Sequence, residues 1–265
     1  MRETKSLGQK DKLDKFYTKK EIAKQCINMI DIDQYEVIIE PSAGNGSFLE
    51  FLPVTTLAYD IEPMDNRIIC EDWFKVDKSF IKGKVLVIGN PPFGQQNSLA
   101  IKFFNESATI AETIAFILPL SFKKYSIQNK LNLNFHLQTE QILPVDSFIL
   151  NEQNYSVPCV FQIWQKQDLK RNKKRLPTTC DFIKFVDKDN ADIRIARVGG
   201  NAGKASIELD KAITSNYFIK NETQFTNIEL INIINNIAFD SIEHTVGPKS
   251  LPKGELIEGL KNKLY

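Results

Sequence analysis

Residues 85–97 read VLVIGNPPFGQQN, an apolar run that ends in an asparagine, two prolines and a phenylalanine. Pro91 and Pro92 donate no backbone hydrogen bonds and hold φ fixed, so this turn does not continue a strand. It makes a rigid platform. The Asn90 side-chain oxygen and the Pro91 carbonyl can aim two acceptors at the two N–H groups of an aromatic amine, whose lone pair is otherwise delocalised into its ring. Drawing that nitrogen toward a tetrahedral arrangement is preorganised electrostatics rather than acid–base chemistry. Pro92 stiffens the turn, and Phe93 offers a face on which a planar ring can stack. Asn90, Pro91, Pro92 and Phe93 thus suit a planar amine or amide held in line with an electrophilic methyl group. That is an entropy trap, requiring no metal and no covalent intermediate.

A second constellation supplies the electrophile's site. IIEPSAGNGSF (38–48) is a strand, an acid and a loop whose Gly44 and Gly46 allow close backbone approach to a ligand. A dinucleotide loop would want a third glycine where Leu49 stands, and Glu40-Pro41 replaces the usual strand end. S-adenosylmethionine carries an amine and no phosphate, so Glu40 could attract its cationic methionine end. Asp60, at the end of the strand in AYDIEP, can accept both ribose hydroxyls, with Glu62 as the alternative. In CEDWF (70–74), Asp72 could accept from the adenine amine, with Trp73 or Phe74 covering the ring.

The elements needed to position these groups are legible as periodicity. TKKEIAKQCINMI (18–30) places Ile22, Cys26, Met29 and Ile30 on one helical stripe, and Thr18 with Glu21 forms a capping-box pattern at its start. Strands are expected at 36–40, 56–60, 67–70 and 84–89, with a helical stretch after the glycine loop to about Leu52. A helix at 98–110, a strand at 113–119, another helix in SFKKYSIQNKL and two longer strands, FHLQTEQILP and 157–166, follow. This alternation predicts an α/β fold: a Rossmann-like, open, mostly parallel seven-stranded sheet with an antiparallel edge strand. The basic run KQDLKRNKKR (166–175) and Pro177 mark a boundary. The expected organisation is a cofactor-binding catalytic domain over 1–166, a basic linker over 167–177 and a small C-terminal lobe over 178–265.

Composition narrows the function classes. Apolar residues make up 42% and charged residues 25% of 265 residues, as in a globular protein, and no apolar run reaches bilayer-spanning length. Four cysteines without a C-x-x-C pair and two histidines argue against disulfides and a zinc site, so no metal is expected. The polar N-terminus has no apolar segment of a secretory signal, which points to an intracellular protein of the cytoplasm or nucleoid. A net charge of +1 excludes a general polyanion binder, although the first thirty residues and the 166–175 run lean basic.

EPSAGNGSF, YDIEP, EDWF and NPPF, in this order and at these strand ends, resemble the motifs of class I S-adenosylmethionine-dependent methyltransferases acting on amino groups. DKFYTKKEIA (14–23) resembles the cofactor-closing segment of the subgroup ordered cofactor loop, catalytic motif, target domain. The resemblance covers roughly residues 14–165. It implies S-adenosyl-L-methionine as cofactor, with Tyr17 and Thr18 at its carboxylate; Thr18 as a helix cap is the competing reading. It further implies Glu40, Ala43, Gly44 and Gly46 around the methionine end, Asp60 on the ribose, and Asp72 with Trp73 at the adenine. Relatives often carry Tyr or Trp where Phe93 stands. They commonly add a second aromatic from the loop between the last two strands, for which Phe148 and Tyr155 are the candidates.

In that subgroup the methylated atom is usually adenine N6 in DNA, reachable in a duplex only after base flipping. The lobe offers RIARVGGNAGK (194–204) and GPKSLPKGE (247–255), whose Arg197 and Lys204 are candidates for backbone contact. RNA adenine is the main alternative, because a lobe this small is light for reading sequence. Cytosine N4, protein glutamine and an inactive nucleic-acid-binding partner subunit also remain open.

Overall fold

The structure, a computed structural model, describes residues 16–243 and 248–265. Residues 1–15, with part of the basic N-terminus and the start of DKFYTKKEIA, lie outside the described residues, as does Gly247 of the second lobe loop. The chain divides into two compact units. One holds the chain up to Leu120 together with 128–172, and the other holds 121–127 together with 173–265.

In chain order the first unit contains β1 (Tyr17–Thr18), α1 (Lys20–Ile27), β2 (Val37–Glu40), β3 (Leu57–Asp60), β4 (Ile69–Cys70), β5 (Val85–Gly89), α2 (Ser98–Ser107) and β6 (Thr113–Pro119). After the one-turn helix α3 (Tyr125–Gln128) come β7 (Phe135–Ile142), β8 (Phe148–Leu150), β9 (Gln153–Tyr155) and β10 (Cys159–Lys166). Seven strands form the main sheet in the order β4-β3-β2-β5-β6-β10-β7. Strands β2 to β6 pair in parallel, and β10 runs antiparallel to both neighbours. This is the expected Rossmann-like, mostly parallel sheet. Its antiparallel strand stands one place in from the edge, with β7 outside it, because the apolar run of β10 is buried enough to be flanked on both sides. Every residue of β5 and β6 is buried, the mark of central strands covered on both faces. Edge strand β4 is exposed.

Several local expectations are corrected. Helix α1 starts at Lys20, its N-cap Lys19 makes no side-chain cap bond, and its buried stripe is Ile22, Ala23, Cys26 and Ile27. The stretch after the glycine loop forms successive turns rather than a helix. There the Asn45 side chain takes the Ser47 amide and hydroxyl, competing with helical bonding. The polar loop after β7 contains an unforeseen hairpin. Asn151 and Glu152 both adopt positive φ (49° and 62°) to join β8 to β9, and β8 pairs with β1 to complete a three-stranded sheet.

The second unit is a four-stranded antiparallel sheet, β11 (Ile183–Phe185), β12 (Ile193–Ala196), β13 (Ala205–Ser206) and β14 (Asn216–Asn221), in the order β11-β14-β12-β13. Ile183, Ile193, Ile195 and Ile219 pack in one core with residues of α4 (Asn227–Asn235), α5 (Asp240–Glu243) and α6 (Lys253–Leu264). Helix α4 opens with a complete capping box, Thr226 with Glu229.

One cation ties the far edge of the first unit together. Arg171 donates to the carbonyls of Phe135 (2.9 Å), Leu131 (3.3 Å) and Gln128, and its guanidinium lies 5.4 Å from the Trp164 ring centre. Charge-assisted bonds of this kind are worth more than neutral ones. Arg171→Ala is expected to lower unfolding free energy by about 2 kcal/mol, and Arg171→Lys to recover only part. Urea denaturation of the three proteins checks this; an unchanged midpoint for the alanine variant contradicts it.

Candidate active site

The main sheet reverses its strand order at β2, with β3 on one side and β5 on the other. Open α/β sheets bind ligands beyond the carboxyl ends of strands at such a point. A cleft of about 310 Å³ opens there, walled by the turns that follow β2, β3, β4 and β5, by the start of β1 and by α2. Its charged lining residues are Asp60, Glu62, Glu71 and Asp72, with no lysine or arginine among them. Such a cleft attracts cations and disfavours phosphate.

The glycine loop sits where it does because its backbone is tied to the next strand. Gly44 N donates to Asp60 Oδ2 at 2.8 Å, Ala43 N to the Tyr59 carbonyl at 2.9 Å, and Met64 N to the Gly44 carbonyl at 2.9 Å. Gly44 has φ +53°, and a Cβ there would come within 3.0 Å of the Tyr17 ring, so glycine is required twice over. Gly44 and Tyr17 line the cleft; Ala43 and Gly46 do not, Gly46 lying against Asp65.

Glu40 ends β2 and is 2% exposed, with Oε2 lacking any partner. Burial, with the neighbouring charge of Asp60, pushes its carboxyl well above the usual range, and Arg67 opposes this only in part. Glu40 is not among the residues that line the cleft, although its neighbour Pro41 is. Asp60 lines the cleft, but its oxygens already accept from Gly44 N and Glu62 N, so it holds the loop and retains further lone pairs for a ligand. Asp72 accepts from Phe74 N at 3.1 Å and also lines the cleft. Trp73 lines it with a buried indole N–H that has no partner, and the half-exposed Phe74 stands beside it, edge-on to Phe103 at 4.9 Å.

Asn90, Pro91 and Pro92 also line the cleft. The Asn90 carboxamide is held by one end: Nδ2 donates to Thr18 Oγ1 at 3.1 Å, and buried Oδ1 has no partner. The Asn90 carbonyl accepts from the Ser42 hydroxyl at 3.3 Å, which joins this turn to the glycine loop. Thr18 therefore serves Asn90 rather than capping α1. Phe93 is buried and does not line the cleft.

Phe93, Phe148 and Tyr155 come together around Phe16, a residue the motifs did not single out. Phe16 lies 5.2 Å from Phe93 and 4.9 Å from Phe148, both edge-on, and 5.5 Å from Tyr155. It alone of the four lines the cleft. The available signal was its place in FYT, two residues before the threonine. Arg197 and Lys204 lie in the second unit. Arg197 donates to the Thr214 carbonyl at 2.7 Å and Lys204 to the Asn235 carbonyl at 3.2 Å, bonds that brace loops of the lobe.

No family model matches the chain, and no curated protein matches it. Among solved structures, a Pyrococcus horikoshii protein with a provisional assignment as an RNA methyltransferase superposes with a TM-score of 0.46 at 15% identity, over 60% of this chain and 91% of its own. The 23S rRNA methyltransferase ErmE gives 0.42 at 12% identity over 59% and 71%. Thermoplasma acidophilum 1320 gives 0.41 at 16% identity over 57% and 89%. All three scores fall below one half and carry no argument; the sheet order and the cleft stand on their own geometry.

The state of Glu40 has a measurable consequence. Above the ordinary carboxyl value of 4.5 the unfolded chain releases this proton while the folded chain keeps it. Its contribution to stability is therefore greatest below that value and declines as pH rises toward the raised folded value. Glu40→Gln is expected to flatten this decline, by up to about 1.4 kcal/mol per pH unit within the window. Urea midpoints of parent and variant at several pH values between 4.5 and 8 decide it; parallel curves would contradict the burial of an uncompensated carboxyl.

Proposed function

We propose that this chain methylates the exocyclic N6 amine of adenine in DNA, using S-adenosyl-L-methionine. The observation that carries the reading is the Asn90 carboxamide. Its nitrogen is anchored on Thr18 and its buried oxygen is left without a partner, on a proline-stiffened turn that lines the cleft. An acceptor kept unpaired in a buried site is costly unless a ligand donor meets it. An aromatic amine is such a donor.

The cofactor assignment is supported by the residues of the other half. Four carboxylates line the cleft without a cation, and Glu40, buried next to the lining residue Pro41, has an orphan oxygen, which suits a phosphate-free, positively charged nucleoside. Glu40 would hold the ammonium group, Gly44 and Tyr17 would shape the methionine end, Asp60 with Glu62 would face the ribose, and Asp72, Trp73 and Phe74 the adenine. When bound, this cofactor supplies an electrophilic methyl group on sulfonium sulfur. Asn90 Oδ1 and the Pro91 carbonyl hold the two amine protons and turn the nitrogen lone pair toward the methyl carbon. Transfer would form the N–C bond at the expense of the cofactor's C–S bond, leaving a neutral thioether, and the surplus proton would pass to water, since Asn90 is no base. Holding the reactants in line lowers the entropic part of the barrier. The motif order favours DNA as the carrier of the adenine. The small lobe would contact the nucleic acid as a whole rather than reading sequence through Arg197 or Lys204.

The test is nucleoside mass spectrometry after incubation with S-adenosylmethionine and duplex DNA, single-stranded DNA or total RNA. N6-methyladenine in DNA, absent with Asn90→Ala, is expected. Methylated adenosine in RNA alone would move the substrate to RNA, and no methylation anywhere would overturn the reading. Asn90→Ala is expected to lose at least a hundredfold in turnover, roughly the loss on removing one preorganised hydrogen-bonding group, while binding cofactor as the parent does. Calorimetry in two buffers of different ionisation enthalpy adds an independent check on Glu40. Cofactor binding should release a proton and strengthen as pH rises, because the ammonium needs the ionised carboxylate; Glu40→Gln should abolish the release.

A further inference from the structure

We infer that Thr18 is a positioning residue that anchors the Asn90 carboxamide so that its free end faces the substrate amine. The inference rests on the methyl-transfer reading above. A carboxamide has an acceptor end and a donor end of nearly the same shape. Turned over, Asn90 would present N–H groups to an amine that also carries N–H groups, and the interaction would become repulsive. Nothing in the turn itself holds the side chain in a productive pose. Pro91 and Pro92 offer no backbone donor, and the Asn90 main-chain carbonyl is already engaged by Ser42. The hold comes from Thr18, 5% exposed, whose Oγ1 accepts from Asn90 Nδ2 at 3.1 Å; a hydroxyl can serve either end of a carboxamide, so what Thr18 fixes is the place and rotation of the side chain. With that end bound, Oδ1 is the atom left unpaired.

Thr18 is itself placed with little freedom. It pairs in register with Phe148 of β8, and Lys19 N donates to the Ser147 carbonyl at 3.1 Å, so both sides of the residue are pinned to the hairpin strand. Its hydroxyl is not spent on α1, whose N-cap is Lys19 without a side-chain bond. A threonine whose cap pattern is present but unused, and whose hydroxyl is turned instead onto the one polar side chain of the Asn-Pro-Pro-Phe turn, has a role at that side chain.

The experiment compares Thr18→Val, which keeps the shape and removes the acceptor, with Thr18→Ser, which keeps the acceptor, each alone and combined with Asn90→Ala. Thr18→Val is expected to lower kcat about three- to tenfold, the loss of one hydrogen bond, with little change in cofactor Kd; Thr18→Ser should restore most of it. In the Asn90→Ala background Thr18→Val should cost nothing further. Equal kcat in Thr18→Val and parent, or losses that multiply in the double variant, would overturn the inference. If Asn90→Ala itself turned over normally, the methyl-transfer reading would fail first. A measurement that needs no substrate keeps the two apart. In protein labelled with ¹⁵N-asparagine, the Asn90 side-chain amide signal, identified by its loss in Asn90→Ala, should exchange slowly with solvent in parent and Thr18→Ser and faster in Thr18→Val. Identical exchange in all three would refute the positioning role whatever the activity.

Discussion

The site depends on a close approach between two strand ends. Strands β2 and β5 are parallel neighbours with Ile39 opposite Val87, and the Glu40 side chain reaches on to Gly89 at the end of β5. A Cβ at Gly89 would lie 3.2 Å from Glu40 Cγ, and Gly89 holds φ at +149°. A side chain there would press on the buried carboxylate and strain the turn. Because the residue is glycine, the chain can leave β5 directly into Asn90 while Glu40 stays buried. Two buried polar groups, a carboxylate and a carboxamide, are thereby delivered from adjacent strands about 5 Å apart.

That arrangement is carried by the apolar core beneath it. Glu40 Oε2, Asn90 Oδ1 and Trp73 Nε1 are all buried without partners, and each such atom costs on the order of 1–3 kcal/mol. The strands below them are buried throughout: VLVIG in β5 and TIAFILP in β6. Phe104 adds edge contacts to Phe135 and Trp164 at 5.8 and 5.5 Å. Hydrophobic burial of this extent offsets the polar defects, which is why they can persist at one end of the sheet. Trp73 and Asn90 line the cleft and Glu40 precedes the lining residue Pro41, whereas the other buried unpartnered oxygens, on Thr56, Ser107 and Ser241, belong to residues that do not line it.

The parts legible in the sequence were those set by local chemistry. The apolar runs gave the strands, and proline and glycine placed the two turns that meet at the cleft. What the sequence hid was the choice of partner. Thr18 with Glu21 and Thr226 with Glu229 have the same capping spacing, yet only the second is a capping box. Thr18 is drawn away by Asn90, 72 positions distant, and no local pattern encodes that competition. The position of β10 inside the edge is hidden for the same reason: strand order is a matter of long-range pairing. The turns at 44–52 escaped because Asn45 bonds its own neighbours, a local effect that helical periodicity does not register.

Phe16, Tyr17 and Thr18 show how little regular structure such a site needs. Side chains alternate along an extended segment, so residues 16 and 18 point one way and residue 17 the other. Phe16 meets Phe93 and Thr18 meets Asn90, both on the Asn-Pro-Pro-Phe turn, while Tyr17 lies over Gly44 of the glycine loop. A strand of two residues thus bridges both halves of the cleft. Two residues cannot hold themselves extended, which gives the hairpin β8–β9 its purpose: it pairs with β1 and supplies Phe148 and Tyr155 to the same aromatic group. The loop expected to supply one stacking ring instead supports the strand that carries Thr18 against Asn90.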